Sequence, residues 1–268
     1  MEWLIVLLVG ALAGTHTATW GMYKDAPHEG FKRYPRSIVV STVVAPIAYH
    51  MAGLDAMRIA DLVILFGVVY VVERALTEFY KVYWRDEDQS KYFIPMQFHV
   101  FGKVIHSRPR RLAIGIPHAA IIIGLLFFIQ WMQHNAQAPF WLLVVTLGSI
   151  GGWISAFGGA FKDAPIEGFE WLKFFRSPVV AALFALLLST FTTDLVVIAL
   201  AAEGFTVATL ETYKTFFFPS KPRGKFAGKP VLFPRMLQVR RRFLPVYVLI
   251  WITVLSGIVL ALMGRQAA

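Results

Sequence analysis

The octapeptide K-D-A-P-H-E-G-F (Lys24 to Phe31) returns as K-D-A-P-I-E-G-F (Lys162 to Phe169), and an Arg-Ser pair follows each, Arg36-Ser37 and Arg176-Ser177. A lysine and two carboxylates within six positions, with an arginine downstream, are the residue types that handle a phosphate-bearing ligand. Cations pair with phosphate oxygens, and carboxylates can hold Mg²⁺ against them. A second polar set also occurs twice: Glu78-Phe79-Tyr80-Lys81 corresponds to Glu211-Thr212-Tyr213-Lys214. The candidate sites for a phosphate or head group are therefore Lys24, Asp25, Glu29, Arg36, Glu78 and Lys81 in one half. In the other half they are Lys162, Asp163, Glu167, Arg176, Glu211 and Lys214. These are the usual parts of phosphoryl or nucleotidyl transfer. No residue is assigned as catalytic and no metal ligand is fixed.

The same octapeptide has a purely structural reading. Asp caps a short helix, Pro is tolerated in its first turn, and Gly ends it. Capping accounts for Asp25, Pro27 and Gly30, but Ser or Asn would cap as well as Asp. It does not account for Lys, Asp and Glu persisting in both copies while His28 became Ile166. Ligand handling and helix termination both stay open at this stage.

Other chemistry is sparse. The absence of cysteine removes disulfides, thiolate metal sites and cysteine nucleophiles. Seven histidines are scattered without H-x-x-x-H or H-E-x-x-H. His16 and His118 would lie at similar depth, so a bis-His haem can be drawn, but neither has a histidine counterpart in the other half, and haem is disfavoured. Glu203 is the one carboxylate clearly near mid-membrane, which makes it a functional candidate by default, although its counterpart in the other half is apolar and Thr206 or Thr209 could satisfy it. The K-x-x-x-x-E-G element is similar, over about eight residues, to the K-K-T-x-E-G stretch of the membrane CTP-transferase and polyprenol-kinase group. The Lys–Glu spacing differs by one and that group's downstream acidic motif is missing, so membership is not inferred.

The elements that must position these residues are membrane helices. Of the 268 residues, 57% are hydrophobic and 16% charged, against about 25% charged in a soluble domain. The ranges 3–23, 112–132, 140–161 and 245–263 are each about 20 apolar residues, enough to cross the hydrocarbon core. The apolar stretches 37–84 and 178–218 are each cut into two helices, at Gly53-Leu54-Asp55 and Thr192-Thr193-Asp194. The first span is read as a helix of the mature chain, since Glu2 stands where a leader would carry basic residues.

Offset by 138, residues 10–31 share eleven identities with 148–169, far above chance, which implies tandem duplication. The expected fold is an all-α integral membrane protein of about eight transmembrane helices. It divides into two parallel four-helix repeats, 1–133 and 134–268, with both termini outside. All but Arg58 and Arg265 of the 26 Lys and Arg fall in or beside alternate loops, which places those loops in the cytoplasm of a bacterial-type inner membrane. The net charge of +10 thus serves topology and attraction to anionic lipids, not nucleic acid. Gly10, Gly14, Ala18 and Gly21, like Gly148, Gly152, Ala156 and Gly159, line one helix face. That spacing suits close packing, pictured here as the first and fifth spans facing each other across the pseudo-twofold axis.

The leading functional expectation is a protein that handles a phosphate-bearing lipid at the cytoplasmic leaflet, with anionic membrane lipids as partners. A transporter or flippase for an anionic lipid or solute is the first alternative. A non-catalytic subunit with partners in a membrane complex is the second.

Overall fold

A computed structural model of the chain describes residues 1–23, 34–216, 228–230 and 233–266. Long helices dominate it: α1 (Glu2–Tyr23), α2 (Tyr34–Met51), α3 (Ile59–Phe79), α4 (Arg108–Asn135), α5 (Phe140–Leu147), α6 (Ile150–Lys162), α7 (Ala164–Glu167), α8 (Trp171–Leu188), α9 (Leu195–Phe216), α10 (Pro234–Val239) and α11 (Leu244–Gln266). The breaks between α2 and α3 and between α8 and α9 fall where the turn-forming residues place them.

Among the described residues, six segments are long and apolar enough to cross a membrane: Glu2–Gly21, Arg108–Asn135, Phe140–Lys162, Trp171–Leu188, Leu195–Thr215 and Leu244–Gly264. This is an all-α, multi-pass membrane protein. Helices α2 and α3 fall short of the same measure for visible reasons. The first carries Arg36 and His50 near its ends and Pro46 within, and the second carries Asp61, Glu73, Arg74 and Glu78. Helix α2 packs one face inward and leaves Val39, Val43 and Ile47 exposed, whereas α3 buries the run Val63 to Tyr70. The segment Phe140–Lys162 is bent between α5 and α6. Gly148 N–H reaches back to Leu143 O at 3.4 Å, and Ser149 Oγ donates to Val145 O at 2.6 Å, which loosens the regular ladder at a Gly-Ser pair.

The small-residue faces pack differently from the expectation that the first and fifth spans face each other. A Cβ on Gly14 would lie 2.6 Å from Ser37 O and one on Gly10 2.7 Å from Ala45 Cβ, so α1 packs on α2. In the second half a Cβ on Gly152 would lie 2.6 Å from Ser177 O and one on Gly148 2.8 Å from Ala185 Cβ, so α6 and α5 pack on α8. The central pair is instead α3 and α9, crossing where a Cβ on Gly204 would sit 1.9 Å from Gly67 O. Small residues there let two backbones touch where lipid gives no hydrophobic drive to association. Beyond this pair α11 packs on α3, and α4 packs on α9.

Between α3 and α4, a π-helical turn (Tyr80–Trp84) leads into a loop with one short hairpin, β1 (His99–Val100) and β2 (Lys103–Val104). Its turn uses positive φ at Phe101 and Gly102. Arg111, fully buried at the start of α4, gathers the loop by donating to the carbonyls of Tyr83, Arg85, Ile105 and His106 and to Asp86 Oδ1.

Candidate functional site

The second copy of the octapeptide joins α6 to α8. Its backbone follows the helix-terminating reading: Pro165 lies in the first turn of α7, and Gly168 ends it at φ 90°, a left-handed value that favours glycine. Asp163 occupies the N-cap position but makes no side-chain cap. Its carboxylate faces Lys173 Nζ at 3.7 Å, and Glu167 pairs with the same ammonium. Capping therefore explains Pro165 and Gly168, whereas the acids are held by a lysine of the next helix.

These groups border a cavity of about 240 Å³ between α6, α8 and α9. Helix α9 lines it with Glu203, Thr206, Val207, Leu210, Glu211 and Lys214, which recur at the spacing of a single helix face. Helix α6 supplies Ser155, Ala156, Gly159 and Ala160, and the start of α8 supplies Lys173, Phe174, Arg176 and Ser177. Charge is concentrated at one end, where Asp163, Glu170, Lys173, Arg176, Glu211 and Lys214 form the mouth. Lys214 and Arg176 lie close enough to Lys173 to act on it electrostatically. Lys214 Nζ is 3.1 Å from Glu211 Oε1. Arg176 Nε is buried with no hydrogen-bond partner among the described residues, a costly state unless a ligand supplies an acceptor. Deeper in, Glu203 takes a hydrogen bond from Ser155 Oγ at 2.5 Å. Ser155 is itself exposed, so the cavity is open along its flank as well as at the mouth.

Of the twelve residues marked in the sequence, Asp163, Arg176, Glu211 and Lys214 meet at this mouth, and Glu167 joins them through Lys173. Lys162 ends α6, outside the lining. Glu78 and Lys81 pair with each other at 3.1 Å, Glu78 also engages Arg74, and both lie in the first half, away from the cavity. Arg36 is exposed on α2. Lys24, Asp25 and Glu29 lie outside the described residues.

The sequence reading missed Lys173. Placing the two-residue insertion directly after Phe169 aligns Lys173 with Arg33 and Phe174 with Tyr34, so a cation kept in both halves was there to be found.

His16 and His118 occupy separate clusters. His16 Nδ1 is 3.0 Å from Tyr70 Oη within the rings of Phe66, Tyr247 and Trp251, and His118 Nδ1 is 2.8 Å from Tyr83 Oη. Among the described residues no group of three or more His, Asp or Glu is arranged to hold a metal ion. The chain matches no protein-family model, no curated protein and no solved structure.

Proposed function

We propose that the chain is a multi-pass inner-membrane protein that binds a phosphate-bearing lipid head group at the mouth between α6, α8 and α9. One observation carries the reading: Lys173, Arg176 and Lys214 converge on an open cavity, and the guanidinium among them keeps a buried N–H without a partner among the described residues. Phosphate oxygens are the acceptors such a cluster fits. The apolar wall of Phe169, Phe174, Val207 and Leu210, with the open flank at Ser155, gives an acyl chain somewhere to lie. The reading stops at binding, and phosphoryl or nucleotidyl transfer is not assigned.

In this reading α2 and α3 complete eight spans, arranged as two parallel four-helix units with basic loops in the cytoplasm and both termini outside. Support comes from the matched approaches of Gly14 to Ser37 and Gly152 to Ser177, and from the crossed packing of α11 on α3 and α4 on α9. A transporter for an anionic lipid or solute is the second reading, favoured by the depth of the cavity, which reaches Glu203.

The test is native mass spectrometry of protein in nanodiscs containing phosphatidylglycerol, with wild type beside Lys173→Gln and Arg176→Gln. Retained anionic lipid should fall in both variants. Competition by inorganic phosphate or diphosphate would point to the free anion instead of a head group. Unchanged retention in the double variant would remove the proposal.

A further inference from the structure

The inner end of the cavity is a single carboxylate. Glu203 is 8% exposed, and although Ser155 occupies its Oε1, Oε2 is buried without a partner among the described residues. The lack of a side chain at Gly151 brings α6 this close, since a Cβ there would lie 2.5 Å from Glu203 Cβ. Between Glu203 and Lys214 the lined face of α9 runs eleven residues, a path of about 16 Å at the helical rise. The cavity thus joins a charged mouth at the basic-loop end of the span to a carboxylate well inside it.

The chemistry at the floor is narrow. The carboxylate and the Ser155 hydroxyl offer few oxygens, and Thr206 commits its hydroxyl proton to Ala202 O at 2.7 Å. Mg²⁺ and Ca²⁺ require about six or more oxygen ligands. Glu203 makes no ion pair among the described residues. The ionisable groups sharing its cavity are Asp163 at the end of α6, Glu170, Lys173 and Arg176 at the start of α8, and Glu211 and Lys214 on α9 itself, all at the mouth. The adjoining helices α3, α1, α4 and α11 carry Tyr70, Glu73, Arg74, His16, His118 and Tyr247, none of which lines the cavity. An unpaired carboxylate inside a membrane is costly in its charged form, and one proton removes that cost.

We infer that Glu203 is a proton-binding site, loaded at Oε2 through this cavity from the basic-loop end of the helices. Water at the mouth supplies the proton, Ser155 goes on donating to Oε1, and the loaded carboxyl gains an O–H donor. The inference stands whatever the mouth binds, and it gives the transporter reading a coupling ion.

Infrared difference spectroscopy of the full chain in nanodiscs tests it. Subtracting the spectrum of Glu203→Gln should isolate a protonated-carboxyl C=O band that grows as bulk pH falls and shifts in D₂O. Gly159 lines the cavity and a Cβ there meets nothing within 4 Å, so Gly159→Trp should keep the band and slow its shift in D₂O. Should Glu203→Gln fail to fold, Ser155→Ala serves in its place, because losing the hydrogen bond should move the band to higher frequency. A band absent at every pH, one that ignores pH, or one that follows Na⁺ at fixed pH would overturn the inference. Unchanged D₂O kinetics in Gly159→Trp would overturn the route.

Discussion

On the α1 side of the central helix pair, Tyr70 Oη accepts from Trp20 Nε1 at 2.9 Å and meets His16 Nδ1 at 3.0 Å, and the rings of Phe66, Tyr247 and Trp251 close around them. On the α6 side, the offset that pairs Glu78 with Glu211 puts Glu203 where the first half has Tyr70, and there open space stands beside it. The frame is shared: α1 lies on α2 as α6 lies on α8, through glycines at matching positions. Backbone contact at glycines fixes helix spacing without using the side chains that face inward, so the same frame can hold two different interiors. One filled with aromatic rings gathered about Tyr70 Oη, leaving His16 Nε2 buried without a partner among the described residues but no open space beside it. The other kept charges around a void, and unsatisfied polar groups are what a ligand can use.

The largest effect is expected where the halves meet. Gly204→Leu forces a side chain into the Gly67 carbonyl, and neither backbone can retreat without separating α3 from α9. Overpacking costs about 1–3 kcal/mol, and more where the backbone cannot give way. The variant should lose its monodisperse peak in detergent, whereas Gly159→Leu, facing open space, should keep it. Equal behaviour of the two would show that the central crossing does not hold the halves together.

The contrast of interiors gives a smaller, directional pair. Tyr70→Phe removes the acceptor of the Trp20 indole N–H and the partner of His16 Nδ1, at about 1–3 kcal/mol. Glu203→Tyr installs the first half's residue in the second half's void and should raise the melting temperature while abolishing retention of anionic lipid. A stabilised variant that still binds lipid would mean that the void is not the binding space.

Much of the frame was legible in the sequence. Apolar runs, turn residues and glycine spacing gave the helices and their breaks, because those depend on local pattern. Which face met which was not legible. Gly10 and Gly14 showed that α1 packs closely without saying that α2 is the partner, and Gly67 and Gly204 lack the repeat that drew attention elsewhere. At the site, Asp163, Arg176, Glu211 and Lys214 were found because both copies carry them. Lys173 was hidden by the placement of a two-residue insertion, and Glu203 stood out by its depth in the span but has an apolar counterpart in the other half. That mismatch marks the divergence between the two interiors, so the symmetry that located the mouth argued against its floor.

The smallest effect concerns the first half's loop between α3 and α4, where Asp86 pairs with both Arg108 and Arg111. Asp86 is held below the usual carboxylate range, first by the hydrogen bond from Arg111 and then by that from Arg108. A depressed folded value means that the contribution of Asp86 to stability is present above its ordinary pKa of 3.8 and is lost as pH falls through the lower folded value. Acid should therefore loosen the loop only below about pH 4. The change should be modest, because the carboxylate is half exposed and Arg111 keeps its bonds to four backbone carbonyls when Asp86 is neutral. Hydrogen exchange of residues 85–107 at neutral pH and in acid reads this directly. Asp86→Asn should bring part of the acid-state exchange to neutral pH and flatten the remaining dependence. If the variant opens in acid as the wild type does, another group carries the response and the loop is not closed by this pair.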